Sequence, residues 1–371
     1  MKIAFCTPFK PIDHARVSGD VTIAGDLVRT LSDLGHETTV LPHVSAKEIY
    51  LEPGRWFGAW RGMRAMAEAA ARCDCWLTYG SYYKVPDVFG PSAARRLGLP
   101  YFIFQASFAE NRARTVRTWP GFMLNRRAMR AADHIFCNRV NDLRGCAKLL
   151  SEERYTYVKP GLPDGLFKRD ETARARLRAE WGVGETPVVN ATAMMRAGVK
   201  MEGLRWVVDA CAELLNDGVE LYLALAGDGP GRDEIESLAR QRLGDRVRCL
   251  GLVDRAELAG VFSACDVFAF PGLEESVGMV YLEAQRCGLP VVATEDEGAP
   301  HVAVDGRTGF VTSVSRGDFT GALHRLLTNP DLRRDMGQAA VEYVQSEHDS
   351  AANYAVMADV MARIVRRRRD G

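Results

Sequence analysis

The chain has 371 residues, 47% hydrophobic and 26% charged, with 48 basic and 48 acidic side chains and hence no formal net charge. This composition excludes a disordered or fibrous chain, and no apolar run approaches the roughly 20 residues of a membrane span. The length suits two domains of ordinary size.

Residues 2–7 are a short apolar run that reads as a strand, broken too soon by Pro8 for a secretion signal. A loop over 8–20 follows, holding His14 and the pair Ser18-Gly19. His14 is the loop's one group that titrates near neutral pH; it is either a site residue or a solvated histidine. Residues 21–35 form an amphipathic helix with Leu27, Leu31 and Leu34 on one face, stopped by Gly35. Residues 36–41 read as the next strand, which makes a βαβ unit. Further strands are predicted over 74–79 and 99–104, and Gln105 follows the second. Residues 131–138 read as the last strand of this half.

Two stretches of the first half mix aromatic and basic side chains. Trp56, Phe57 and Trp60 stand among Arg55, Arg61 and Arg64, and Trp119 and Phe122 among Arg112, Arg117, Arg126 and Arg127. The mixture suits either an anionic membrane surface or helices packed on a sheet with their arginines in solvent. No nucleic-acid recognition motif accompanies them. Residues 1–170 hold 25 basic and 17 acidic side chains, +8, which leaves 23 and 31, −8, for the remainder. That split reads as an anionic partner for the first half, a membrane surface or a phosphorylated acceptor, as attraction between the halves, or as ordinary variation in composition.

Residues 168–184 read as a charged linker and a helix. In the second half, strands are predicted over 187–194, 220–226 and 246–250, with helices over 203–215, 232–240 and 255–263. The loop over 195–202 carries Arg196 and Lys200, and the run Gly227-Asp228-Gly229-Pro230-Gly231 reads either as a Gly-rich phosphate loop or as a structural turn. The nine cysteines, an odd number, lie mostly in apolar runs, and Cys73 and Cys75 lack a metal or redox spacing. Reduced thiols and a cytoplasmic location are expected.

Residues 265–270 form a buried strand, 271–276 a turn, and a helix begins near Gly278 and is closed by Gly288. The run over 289–293 is the next strand. A helix N-terminus offers unpaired amides to an anion such as a diphosphate. Glu275 and Glu283 flank that site, and carboxylates accept from hydroxyls. One reading has Glu275 hold a transferred sugar and Glu283 a ribose; the other has Glu275 cap the helix and Glu283 sit in solvent. Beyond lie a turn and strand over 304–311 and helices over 318–327, 330–347 and 349–369.

The run P-G-L-E-E-S-V-G-M-V-Y-L-E-A-Q-R-C-G-L-P-V-V-A-T resembles the retaining, nucleotide-sugar-dependent glycosyltransferases of family 4. Their signature is a glutamate, seven residues and a second glutamate, matched by Glu275 and Glu283. The likeness is strong over 187–311. It implies an α/β, GT-B architecture: two doubly wound Rossmann-like domains facing across a cleft, with a C-terminal helix returning to the first. The domains would be 1–165 (acceptor), 166–350 (nucleotide sugar) and 351–371 (return helix), with 155–167 as exit strand and crossing.

The resemblance implies catalytic roles for Glu275, Arg196, Lys200 and Gln105. Arg196 and Lys200 would stabilise charge on the leaving diphosphate, though their spacing is shorter than the family's. Gln105 stands where the family usually has a histidine. Gly19 is what remains of a Gly-Gly pair near the donor phosphate, and backbone at Leu252 and Val253 would pair with the base. Ser276, Val277, Gly278, Met279, Val280 and Glu283 complete the donor set. His14 and His301 are candidates for contact with acceptor or sugar.

The expected reaction is retaining transfer of a hexose from a nucleoside diphosphate to a glycan or lipid-linked acceptor, in envelope polysaccharide or glycolipid synthesis. No cofactor is implied, and with no Asp-x-Asp no metal is implied either. An anionic membrane surface is a further expected partner, which would make the protein peripheral. Rival readings are a nucleotide-sugar epimerase on the same fold and an inactive sugar-nucleotide-binding protein. Sugar, base and acceptor are not legible.

Overall fold

The computed structural model describes residues 1–14 and 19–370, so Ser18 lies outside the described residues. The chain divides into two compact units, Met1–Pro163 with Ser350–Gly371, and Asp164–Asp349.

The first unit begins with β1 (Lys2–Cys6), α1 (Gly19–Asp33) and β2 (Glu37–Val40). Next come α2 (Trp56–Ala70), β3 (Cys75–Ser81), α3 (Gly90–Leu97), β4 (Tyr101–Ala106) and α4 (Trp119–Ala131). It continues through β5 (His134–Cys137), α5 (Val140–Ala147) and β6 (Tyr155–Tyr157). The six strands lie in the order β2-β1-β3-β4-β5-β6, every pair parallel. Crossover helices cover a parallel sheet on both faces, which is why its inner strands are apolar throughout. Phe5, Leu77, Phe102, Phe104 and Ile135 are wholly buried. β5 is not the last strand of this half, as its sequence suggests: the short β6 pairs with it at the sheet edge. α3 and α5 span only eight residues each, shorter than the run over which a helical period is usually read, and the sequence reading assigns neither.

The second unit runs α6 (Glu171–Trp181), β7 (Val188–Thr192), α7 (Val199–Asn216), β8 (Tyr222–Ala226), α8 (Arg232–Leu243) and β9 (Val247–Gly251). It continues with α9 (Arg255–Ala264), β10 (Val267–Ala269), α10 (Met279–Arg286), β11 (Val291–Thr294), β12 (Gly309–Thr312), α11 (Arg316–Thr328) and α12 (Pro330–Glu347). Its sheet is also parallel, in the order β12-β11-β10-β7-β8-β9. Asp266, at the amino end of β10, accepts from Arg174 (2.7 Å), Arg178 (3.0 Å) and the Val188 amide (2.8 Å), which ties α6 to the sheet.

The last helix, α13 (Ser350–Asp370), belongs to the first unit. Tyr354, Met357 and Met361 are buried, and the Tyr354 ring meets Phe104 edge-on at 6.0 Å. Arg368 closes the end of the helix onto Asp133 at 2.7 Å.

Candidate active site

In the second unit the chain winds outward from β7 through β8 and β9, then returns to lay β10 on the other side of β7. Loops leaving the carboxyl ends of β7 and β10 therefore diverge, and ligands of open α/β sheets bind in the crevice between such loops. Residues 193–198 follow β7, and residues 270–278 follow β10.

Lys200 is not in a loop, as the sequence reading has it. α7 begins four residues earlier than predicted, because Gly198 takes φ 95° and ψ −147° and turns the chain straight into the helix. Few residues other than glycine adopt that backbone. Lys200 thus sits in the first turn, where a cation opposes the helix dipole. Its ammonium lies 5.3 Å from the centre of the Phe270 ring and pairs with the Glu275 carboxylate. Burial, and then the neighbouring Arg196, push Lys200 down to about 8. The ion pair works in the opposite sense, so its charge is lost at about 8 or above. Arg196 itself is exposed.

The loop that carries Glu275 is braced from several sides. The Tyr281 hydroxyl donates to the Phe270 carbonyl (2.9 Å), Thr294 Oγ1 donates to the Pro271 carbonyl (2.8 Å), and the Glu274 amide donates to Asp296 (3.1 Å). Gly278 has φ 79°, and a Cβ there would stand 2.7 Å from the Tyr281 ring. A side chain at Gly298 would strike the Glu275 carbonyl, so the backbone at Gly298 packs on this loop, while His301, three residues on, is exposed. No side chain caps α10, so Glu275 is not the helix cap. Ser276, Val277, Gly278, Met279 and Val280 therefore lead into an uncapped helix start, which presents orphan amides.

Glu283 is not in solvent either. It is 7% exposed on the inner face of α10, and the Arg255 Nε donates to it at 3.2 Å. The Arg255 guanidinium lies over Phe167 at 5.6 Å. A carboxylate so deep requires a cation, and sequence reasoning missed that Arg255 supplies it. The signal available was weak: an arginine opening the helix after the Leu252-Val253 loop. Leu252 itself is 68% exposed at the carboxyl end of β9. Gly227 and Gly229 have φ 139° and 149° and press on the Ala193 and Met195 carbonyls, so this run is a turn that locks β7 to β8.

The remaining candidates belong to the first unit. Gln105 is buried near the end of β4 with φ 68°, beside Gly80 of β3 with φ 82°. A left-handed glutamine is strained by about 1–3 kcal/mol, and such strain concentrates at functional sites. Gly19 opens α1 with empty space on its Cβ side, and His14 is half-buried in the loop after β1. The structure thus brings together Lys200, Glu275 and the α10 start in the second unit, while Gln105, Gly19 and His14 lie in the first. Among the described residues no group of three or more His, Cys, Asp or Glu could hold a metal.

Residues 182–343 match the model of the family described as glycosyl transferases group 1, so this segment is a group 1 glycosyltransferase domain. A GDP-mannose-dependent α-(1-6)-phosphatidylinositol monomannoside mannosyltransferase of Mycolicibacterium smegmatis is 34% identical over 192 residues, 49% of this chain and 50% of the relative. The chain thus spans about half the length of the curated relatives that it matches. Sucrose-phosphate synthase from Thermosynechococcus elongatus superposes with a TM-score of 0.75 at 19% identity, over 98% of each chain. Anabaena HepE, solved with UDP-glucose, gives 0.75 at 18% identity over 98% of this chain and 99% of its own. The fold shared with them is GT-B.

Proposed function

We propose that this chain, a GT-B fold with a group 1 glycosyltransferase domain at 182–343, transfers a hexose from a nucleoside-diphosphate sugar to a hydroxyl of a glycan or lipid-linked acceptor, with retention at the anomeric carbon. The observation that carries this reading is the Lys200–Glu275 pair beside the uncapped start of α10. A half-buried lysine on a helix N-terminus suits an arriving diphosphate. The diphosphate binds the α10 amides, draws Lys200 towards itself and releases Glu275 to accept from hydroxyls of the sugar. Arg196 adds a second cation, and the pair stabilises the charge that grows on the leaving phosphate. Glu283, fixed by Arg255, accepts from the ribose, and Leu252 lies against the base.

The glycosidic bond breaks through an oxocarbenium-like state. The donor's own phosphate takes the acceptor proton on the face that it leaves, so no protein base is required there. Gln105 offers its amide to a sugar hydroxyl. The donors named for the mannosyltransferase relative and the HepE complex differ in base and in sugar, so neither is assigned to this chain. A thermal-shift series with nucleotide sugars and free nucleoside diphosphates tests the reading, because a ligand of the folded state raises the melting temperature by mass action. Stabilisation by at least one donor, followed by acceptor-dependent release of its diphosphate, is expected. Conversion of donor without any acceptor would favour an epimerase, and binding without turnover a sugar-nucleotide-binding protein.

A lipid-linked acceptor at an anionic membrane face, in envelope polysaccharide or glycolipid synthesis, is favoured by α2. Trp56, Phe57 and Trp60 are 54%, 68% and 49% exposed, and Arg61 and Arg64 lie one turn further on. No helix of the described residues is long and apolar enough to cross a membrane.

A further inference from the structure

All strands of the second unit's sheet are parallel, so their amino ends form one edge, opposite the edge from which residues 193–198 and 270–278 leave. At that amino edge lies a cleft of about 500 Å³. On the sheet side it is lined by Arg169, two residues before α6, by Asp266, at the head of β10, and by Gly288, between α10 and β11. The rest of the lining comes from α12: Pro330, Arg333, Arg334, Gly337, Gln338 and Val341. These recur at the three- and four-residue spacings that put side chains on one helix face. The helix buries a different set, Met336, Ala340 and Val344, against the core. At Gly337 it comes so near the sheet that a Cβ would strike the Gly288 carbonyl, which pins α12 beside the cleft.

Asp266 is the sole carboxylate among the described lining residues, and its oxygens are already taken by Arg174, Arg178 and the Val188 amide. Arg333 is half-buried, and among the described residues it has no carboxylate within ion-pair reach. Its Nη1 donates to the carbonyls of Leu326 (2.7 Å) and Leu327 (3.1 Å) in the last turn of α11, and its Nε and Nη2 have no protein acceptor among the described residues. Burial lowers the proton affinity of Arg333; Asp266 opposes this, and Arg174 and Arg178 add to it. Arginine keeps its proton regardless, so an anion rather than deprotonation relieves the cost of that charge. Arg169 pairs with Glu171 (2.6 Å), and Arg334 with Asp331 (2.9 Å) and Asp335 (3.5 Å). Those three acids are 71%, 78% and 72% exposed, and pairs so exposed contribute little, so both guanidinium groups turn to a better anion at small cost. No aromatic side chain lines the cleft among the described residues, so nothing there stacks on a base or a sugar ring. Guanidinium forks match phosphate oxygens, and the volume is that of a small-molecule site.

We propose that this cleft is a second ligand site, which binds a small phosphorylated anion through Arg169, Arg333 and Arg334. It lies on the opposite edge of the sheet from the loop that carries Glu275, so it is separate from the site of the donor. Inorganic phosphate, pyrophosphate and the phosphate of a sugar phosphate present the same chemistry to it.

Calorimetric titration of the full chain with inorganic phosphate, pyrophosphate and glucose 6-phosphate, beside glucose, provides the test, with amide hydrogen exchange to place each bound probe. At least one phosphorylated probe is expected to bind and glucose is not, with affinity falling as salt is added. Exchange should slow over residues 330–341. Arg169→Glu and Arg334→Glu, both at exposed positions, should each weaken that binding about tenfold. Arg333→Gln should do the same, with its melting temperature read alongside because this side chain also holds the end of α11. Lys200→Ala removes a cation of the donor site and should leave protection over 330–341 unchanged. Tighter binding of glucose 6-phosphate than of the two inorganic probes assigns an organic phosphate, and the reverse assigns an inorganic one. No binding of any phosphorylated probe, protection confined to residues 270–283, or protection over 330–341 that survives both charge reversals would overturn the proposal. Loss of all probe binding in Lys200→Ala would assign the probes to the donor site and overturn it as well.

Discussion

Lys200 is the residue on which pH acts. A lysine with its proton affinity lowered is charged below that value and loses its charge as pH rises through it. With its charge lost at about 8 or above, kcat/KM should fall on the alkaline side of neutrality. Lys200→Arg keeps the charge at all accessible pH, so a pH profile of that variant should lack the fall whatever its absolute rate; an unchanged fall would assign it to another group. Removal of the charge is the harsher change. Lys200→Ala and Arg196→Ala should each cost about 2–4 kcal/mol of transition-state stabilisation, and should weaken diphosphate binding more than nucleoside binding. A double variant with near-normal turnover would place the cations elsewhere. Arg255→Ala strands the buried Glu283, so weaker nucleotide binding together with a lower melting temperature is expected.

At the scale of elements, α10 and its loop are one unit whose geometry depends on Gly278. Alanine there keeps φ near 79° and meets the Tyr281 ring, so Gly278→Ala should lower stability by about 1–3 kcal/mol and weaken donor binding with it. A melting temperature equal to wild type would show that the turn relaxes without consequence. This stretch was the most legible part of the chain: the apolar runs, the glycine closing the helix at Gly288 and the proline after it all carry local signals. The start of α7 was not legible, because the signal for it is the φ of Gly198, and glycine in a loop is as common as glycine at a helix start. The same limit hid Arg255: the sequence placed Glu283 on a helix, but not on its buried side, and only burial demands a partner. Gln105 was visible as a departure from the family's histidine; its left-handed backbone was not.

For the whole molecule, the exposed aromatic side chains Trp56, Phe57, Trp60 and Trp119 all lie in the first unit, whose residues also carry the basic excess. Each basic residue near an anionic bilayer contributes about 1 kcal/mol, so attachment should be real at low salt and lost at high salt. Vesicle flotation should show it reduced by charge reversal at Arg126 and Arg127; protein that stays in solution beside anionic vesicles at low salt would return these arginines to a solvated face. The central claim, transfer of a hexose by the second unit with Glu275 on the sugar, is tested most directly by proton NMR of nucleotide-sugar consumption. Wild-type protein and Glu275→Ala are followed with UDP-glucose and GDP-mannose, without and with acceptor. Wild-type protein is expected to consume at least one donor and to yield first a sugar with the donor's own α configuration, while Glu275→Ala binds the free diphosphate and leaves the donor intact. A first product of β configuration, or donor consumed by Glu275→Ala at the wild-type rate, would contradict it.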